Sequence, residues 1–235
     1  MDLNEVMSWL EARGSEQTKK TLMKHGAREP FFGVKVADLK ILQKKIKKDY
    51  ALSKALFDTG NSDAMYLAGL IADPAQMTRE DLQDWVSKAY WYYISEYTVA
   101  WVCSESAFGW ELAAEWINHP DEGYQTTGWA TYSSLLSITP DEHIDRTLIE
   151  HLVDRVKQNI AKAPNRTRYT MNGFLIAVGS YFEPLHTLAY QVAEQIGKVS
   201  VSMGSTACKV PFAPDYIQKV ADKQQVGKKR KSAIC

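Results

Sequence analysis

The sequence predicts an all-α protein built as a HEAT/armadillo-like α-α superhelical solenoid, and three observations carry that expectation. Apolar residues recur at helical spacing in segment after segment, with almost no period-two alternation. Proline and glycine interrupt the pattern often enough to delimit helices of roughly 10–20 residues, an ordinary length for globular proteins. Taken in pairs, these helices recur about every 40 residues, the period of arrays that stack helix pairs into a curved superhelix. In such an array one helix of each pair lines the concave face, where function is expected.

In chain order, "LNEVMSWLEA" and "KKTLMKHGA" read as short amphipathic helices. "KVADLKILQKKIKKDYALSKALFDTG" keeps Val36, Leu39, Ile41, Leu42 and Ile46 at helical spacing and reads as one run ended by Gly60. "SDAMYLAGLIADP" is an almost wholly apolar helix stopped by Asp73 and Pro74. "TREDLQDWVSKAY" opens on Thr78 as an N-cap with an acidic first turn. "KAYWYYISEYTVAWVCSES" follows without a turn residue, so the preceding helix either runs into it or bends near Ala89.

"SAFGWELAAEWINHP" ends at Pro120 and "DEGYQTTGWATYSSLLSI" at Thr139 and Pro140. Thr139, Pro140 and Glu142 have the spacing of a capping box with proline at the first helical position, which predicts a helix start for "PDEHIDRTLIEHLVDRVKQNIAKA". "NRTRYTMNGFLIAVGSYF" follows Pro164, and "PLHTLAYQVAEQIGKV" starts at Pro184. Residues 201–235 differ: Gly204, Ser205, Pro211 and Pro214 make a turn-rich connector, followed by a short helix and the basic "GKKRK". The expected organisation is a repeat domain over 1–200 and a C-terminal appendage over 201–235.

Composition bounds the function. With 235 residues, 45% of them hydrophobic and 24% charged, the chain can bury a continuous core. No apolar run approaches the roughly 20 residues of a membrane span, and "MDLNEVMSWLEARGSEQ" lacks the basic and apolar regions of a signal peptide. A cytoplasmic location and no membrane partner are expected. Cys103, Cys208 and Cys235 are far apart and odd in number, which fits free thiols rather than a disulfide framework or zinc knuckle. The five histidines, His25, His119, His143, His151 and His186, show no metal-ligand spacing, so neither a metal nor a small-molecule cofactor is expected. A monomer is expected.

Lysine and arginine total 28 against 28 aspartate and glutamate, yet the charges are unevenly placed. Lys35, Lys40, Lys44, Lys45, Lys47 and Lys48 cluster towards the amino end. Lys219, Lys223, Lys228, Lys229, Arg230 and Lys231 cluster towards the carboxyl end. Two basic regions on a neutral protein suit a polyanion gripped at two places, because each neutralised phosphate releases counterions. DNA is the expected partner.

"FFGVKVADLK" followed by "LSKALFDTGNSDAMYLAGLIADP" resembles the amino-terminal half of the bacterial DNA alkylation repair family, the AlkD-like glycosylases built of HEAT-like repeats. Phe32, Gly33, Val34 and Leu39 match the family stretch, while Ala37 stands where proline is usual, and the resemblance covers most of residues 20–200. It implies DNA binding in a concave groove and excision of alkylated purines. Such a lesion is cationic, so an aromatic face attracts it, and a carboxylate in a poorly solvated cleft stabilises the charge that develops on the sugar.

The family motif Trp-Trp-Asp-x-x-Asp falls on "YYISEY". That places Tyr93 at the aromatic position and Tyr97 at the catalytic aspartate; slipping by one residue instead pairs Tyr92 with Glu96, the one candidate acid. The family arginine falls on Thr127 and a later tryptophan on Ile176. Tyr93 and Tyr97 are therefore candidate groove residues, and Glu96 is the candidate catalytic group. Gln125, Thr126, Thr127 and Trp129 offer amide, hydroxyl and stacking contacts to DNA. Arg166 and Arg168, at a helix start, suit phosphate. Lys228, Lys229 and Arg230 suit a basic clamp across the groove mouth. Beside a glycosylase with an altered site stand two readings of other classes, a non-catalytic binder of DNA structures and a protein-interaction solenoid.

Overall fold

Short polar side chains set where most helices begin. In the computed structural model, which describes residues 1–234, the caps Asp2, Ser15, Asp49, Asn61, Thr78, Asp121 and Asp145 each accept a backbone N–H from the turn they open. Such a cap contributes about 1 kcal/mol by satisfying a donor the helix leaves orphaned. The result among the described residues is thirteen α-helices and no strand, the all-α class that the spacing predicts. Cys235 lies outside the described residues, whereas Cys103 is buried and Cys208 exposed.

The helices group into two compact units, the first comprising residues 1–107 with 203–207 and Ile234, the second 108–202 with 208–233. The first holds α1 (Leu3–Ala12), α2 (Glu16–Lys24), α3 (Val36–Ile46), α4 (Tyr50–Asp58), α5 (Ser62–Ile71), α6 (Arg79–Lys88), a π-helical segment (Ile94–Val99) and α7 (Ala100–Glu105). All ten residues of α5 are buried, because α3, α4 and the π segment pack around it. Gly69 permits that approach: a Cβ there would lie 2.6 Å from the Thr98 methyl group.

The second unit holds α8 (Gly109–Trp116), α9 (Glu122–Ile138), α10 (Arg146–Asn159), α11 (Asn165–Tyr181), α12 (His186–Ile196) and α13 (Ala213–Asp222). Its core centres on Trp129, Tyr132 and Phe174, with α11 packed between α9 on one side and α12 and α13 on the others. Gly179 brings α13 close, since a Cβ there would lie 2.8 Å from Ile217 side-chain atoms.

Three local readings of the sequence are corrected, and one left open is decided. The run through residues 35–60 is two helices, not one: Lys47 adopts φ 65° and Asp49 caps a new helix at Tyr50. Ile41, expected on the apolar stripe of that run, is 53% exposed. Thr139 is a C-cap rather than part of a capping box; a short 3-10 turn covers Asp141–His143, and Asp145 caps α10 at Arg146. Of the two routes open near Ala89 the chain takes the bend: Ala89 has ψ 85°, and regular structure resumes only after Trp91.

Candidate nucleic-acid interface

The aromatic stretch divides into anchors and a ladder. Because the chain turns at Ala89, its first three rings reach back across the first unit. The Tyr90 hydroxyl donates to the Arg28 carbonyl at 3.1 Å, and the Arg28 guanidinium returns a bond to the Tyr90 carbonyl at 3.0 Å. Trp91 Nε1 donates to Ser62 Oγ at 3.0 Å, and the Tyr92 hydroxyl lies 3.0 Å from His25 Nδ1. These rings fix the stretch in place.

The ladder is built on the π segment, where the Ala100 N–H reaches the Ser95 carbonyl, five residues back. Tyr93 stacks on Tyr66 of α5 with ring centres 4.6 Å apart and 12° between planes. Tyr97 meets Tyr93 edge-on at 5.7 Å and Trp101 at 5.4 Å, and Trp101 returns to Tyr66 at 5.8 Å. Tyr66 and Trp101 are buried, whereas Tyr93 and Tyr97 remain partly exposed. Each contact of this kind contributes about 1 kcal/mol beyond area burial. Burial, reinforced by the Tyr66 phenol, pushes the Tyr93 hydroxyl far above the usual tyrosine range, so it is a neutral hydrogen-bonding group and not a base. Glu96 is 7% exposed, between two partly exposed tyrosines that it does not accompany to the surface.

In the second unit the expected polar contacts sit inside the fold. Thr126 is 1% and Thr127 0% exposed, and Thr127 Oγ1 donates to the Gly123 carbonyl of its own helix at 2.7 Å. Trp129, expected to stack on a base, is 1% exposed, edge-on to Phe174 at 5.1 Å and beneath the Arg155 guanidinium. That leaves it no free ring face, because helical spacing in α9 puts it on the core stripe. Gln125 donates to the His119 carbonyl and accepts from Thr167.

Arg166 and Arg168 stand at the amino end of α11. The Arg166 guanidinium lies 3.9 Å from the Tyr169 ring centre. Arg168 lines a cavity of about 240 Å³ with Lys198 and Ser200, and its Nε is buried without a hydrogen-bond partner.

The basic tail is docked on the second unit rather than hanging from it. Gly227 N–H donates to the Ser180 carbonyl and Arg230 N–H to the Ser137 carbonyl. Lys229 Nζ donates to the Leu136 and Tyr181 carbonyls at 2.9 and 2.6 Å and pairs with Asp141 at 2.8 Å. Lys229 thus caps the carboxyl ends of α9 and α11 and is spent on structure. Lys228 stays exposed. Ile176, expected from the resemblance at the place of a later tryptophan, lines a cavity of about 410 Å³ together with Tyr216 and Lys228. Sequence reading passed over Tyr66 and Tyr216; each was visible as a tyrosine out of place, one inside an apolar helix and one on the polar side of an amphipathic helix.

Among the described residues no cluster of histidine, cysteine, aspartate or glutamate is arranged to hold a metal ion, and no helix is long and apolar enough to cross a membrane.

Residues 6–196 match the DNA alkylation repair enzyme family. The chain belongs to that family. Two uncharacterised proteins of Listeria resemble this DNA alkylation repair family member over 91% of its length and 95% of theirs, at 33% identity in Listeria monocytogenes and 32% in Listeria innocua. A solved structure superimposes with a TM-score of 0.92 and 40% identity over the whole of both chains. It comes from a group described as a new family of proteins related to the HEAT-like repeat DNA glycosylases with affinity for branched DNA structures. The family match stops at residue 196, before α13 and the basic tail, whereas this structure spans them.

Proposed function

We propose that this DNA alkylation repair family member is a non-catalytic binder of branched or distorted DNA, acting through the groove of its HEAT-like repeats. The observation that carries this reading is the aromatic ladder at the place of the family's chemistry. By the family resemblance Tyr97 falls at the carboxylate position, where it meets Tyr93 edge-on and Trp101 at a tilt, while the neighbouring acid, Glu96, is 7% exposed. A carboxylate that stabilises an oxocarbenium-like sugar must approach it closely, and Glu96 leaves little of its surface open for that approach. Nor does the arginine position supply a guanidinium: Thr127 is fully buried with its hydroxyl turned to its own helix.

What the site retains is suited to recognition. Tyr93 and Tyr97 present partly exposed rings on a packed base, and rings of this kind stack on bases without needing a particular sequence. The affinity of the 40% identical relative for branched DNA supports the same substrate class here. The test compares native protein with Glu96→Gln on duplex DNA carrying 7-methylguanine and on a three-way junction. The expected result is no base release by either protein and salt-sensitive junction binding by both. Base release by native protein that Glu96→Gln abolishes would restore the glycosylase reading, and no DNA binding at low salt would remove both.

A further inference from the structure

We infer that the cleft between α11, α13 and the C-terminal strap is a subsite for an unpaired nucleotide, with Tyr216 as its stacking face and Lys228 as a phosphate contact. The inference deepens the branched-DNA reading and rests on it, since junctions and flaps are where unpaired nucleotides occur. The cleft encloses about 410 Å³, within the range of sites that hold a small planar group. Its wall joins apolar and aromatic surface from Ile176, Tyr181 and Tyr216 to the cationic residues Lys228 and Arg230.

Two features distinguish this cleft from a basic surface with an incidental dent. First, Tyr216 is 52% exposed and is the one aromatic residue among the large hydrophobic side chains left open to solvent in the described chain. Its neighbour Ile217 is fully buried and anchors α13 against Gly179, so the ring is held out on a fixed helix. Secondly, the strap that carries Lys228 is pinned on both sides, by the Gly227 and Arg230 backbone bonds and by the three contacts of Lys229. Lys228 is therefore presented from an ordered backbone, and less conformational entropy is lost on binding than from a loose tail. An aromatic ring beside a cation is the pairing that binds single-stranded nucleic acid, the ring taking the base and the cation its phosphate.

The test uses the full-length protein, a three-way junction with 2-aminopurine at an unpaired position at its branch, and a linear duplex of the same strands. Tyr216→Ala is expected to weaken junction binding about ten-fold or more, the effect of losing one stacked base, and to abolish quenching of the 2-aminopurine. Linear-duplex binding should hardly change, and Tyr216→Phe should behave as native protein. Lys228→Ala should weaken junction binding and lower the slope of log affinity against log salt by about one. Because both residues are exposed, unchanged thermal unfolding is expected and checks that the fold is kept.

Junction binding equal to native in both alanine variants would overturn the subsite while leaving the branched-DNA reading in place. So would an equal loss on junction and linear duplex. A native protein that binds both DNAs alike, or neither, would overturn subsite and reading together.

Discussion

The Asp63 carboxylate accepts the backbone N–H of Gly33 at 2.9 Å, and those of Phe32 and Val34 at 2.6 and 3.1 Å. One side chain at the start of a buried helix thereby organises the loop whose sequence, "FFGV", carries the family resemblance. Gly33 is required there: it adopts φ 78°, and a Cβ would lie 2.7 Å from both Lys19 N and Ser15 O. Burial raises the Asp63 pKa, and the three donors draw it back.

Asp63→Ala should therefore destabilise the protein by about 3–5 kcal/mol, since it orphans three backbone donors at a site with little access to water. Urea unfolding measures this. Asp63→Asn, which keeps an accepting oxygen, should recover part of the loss.

A second carboxylate predicts a pH dependence. Burial works to raise the Asp81 pKa, but Lys54 at 2.6 Å, the Tyr50 hydroxyl at 2.7 Å and the Thr78 N–H outweigh it and hold the group below the usual range. The unfolded chain then takes up the proton first. The stabilisation is present above the unfolded carboxylate pKa of about 4 and disappears as pH falls through the folded value. At the alkaline end the sign reverses. Lys54 is raised to about 12, mainly by its bond to Asp81, so its share is present below its ordinary value of 10.5 and is lost as pH rises through about 12. Asp81→Asn should lower the midpoint of unfolding at pH 7, and the gap from native protein should close towards pH 3.

Much of the fold could be read from the residues alone, because caps and proline breaks are local signals. Thr78, Gly60 and Pro74 punctuate the chain where their chemistry says they should. Thr139 misled because it has the right neighbours for an N-cap, while the preceding helix holds it as a C-cap through its N–H to Leu135. The candidate site was less legible. Helical spacing separates Trp129, on the core stripe of α9, from Tyr216, on the polar side of α13, but it does not show which helix or strap lies opposite either ring. Lys229 likewise reads as one basic residue among several until the carbonyls of α9 and α11 are placed beside it.

Restoring the family residues singly should not restore base excision. Tyr97→Asp removes a rung of the ladder and leaves the arginine position empty, so release of 7-methylguanine should stay at background. Thr127→Arg should cost at least about 2 kcal/mol in stability, because it forces a long charged side chain into a fully buried position. Thermal unfolding of the two variants alongside the glycosylase assay separates these effects.

Lys229→Met is expected to destabilise the protein by about 1–3 kcal/mol through loss of two carbonyl caps and the Asp141 pair. It should leave the salt dependence of DNA binding close to that of native protein. A fall in the salt slope by one, with stability unchanged, would show that this amine contacts phosphate instead of structure.

The five-residue reach of the Ala100 N–H to Ser95 changes which side chains of this stretch share a face. A π turn accommodates one residue more than the α-turn it interrupts, so it bears the geometry of a single-residue insertion absorbed without breaking the helix. Relatives with and without such an insertion cannot be aligned through this stretch by one constant offset. Four-residue spacing therefore does not by itself carry the pairing of Tyr93 with Tyr97, or of Tyr92 with Glu96, through this segment, because the register shifts inside it.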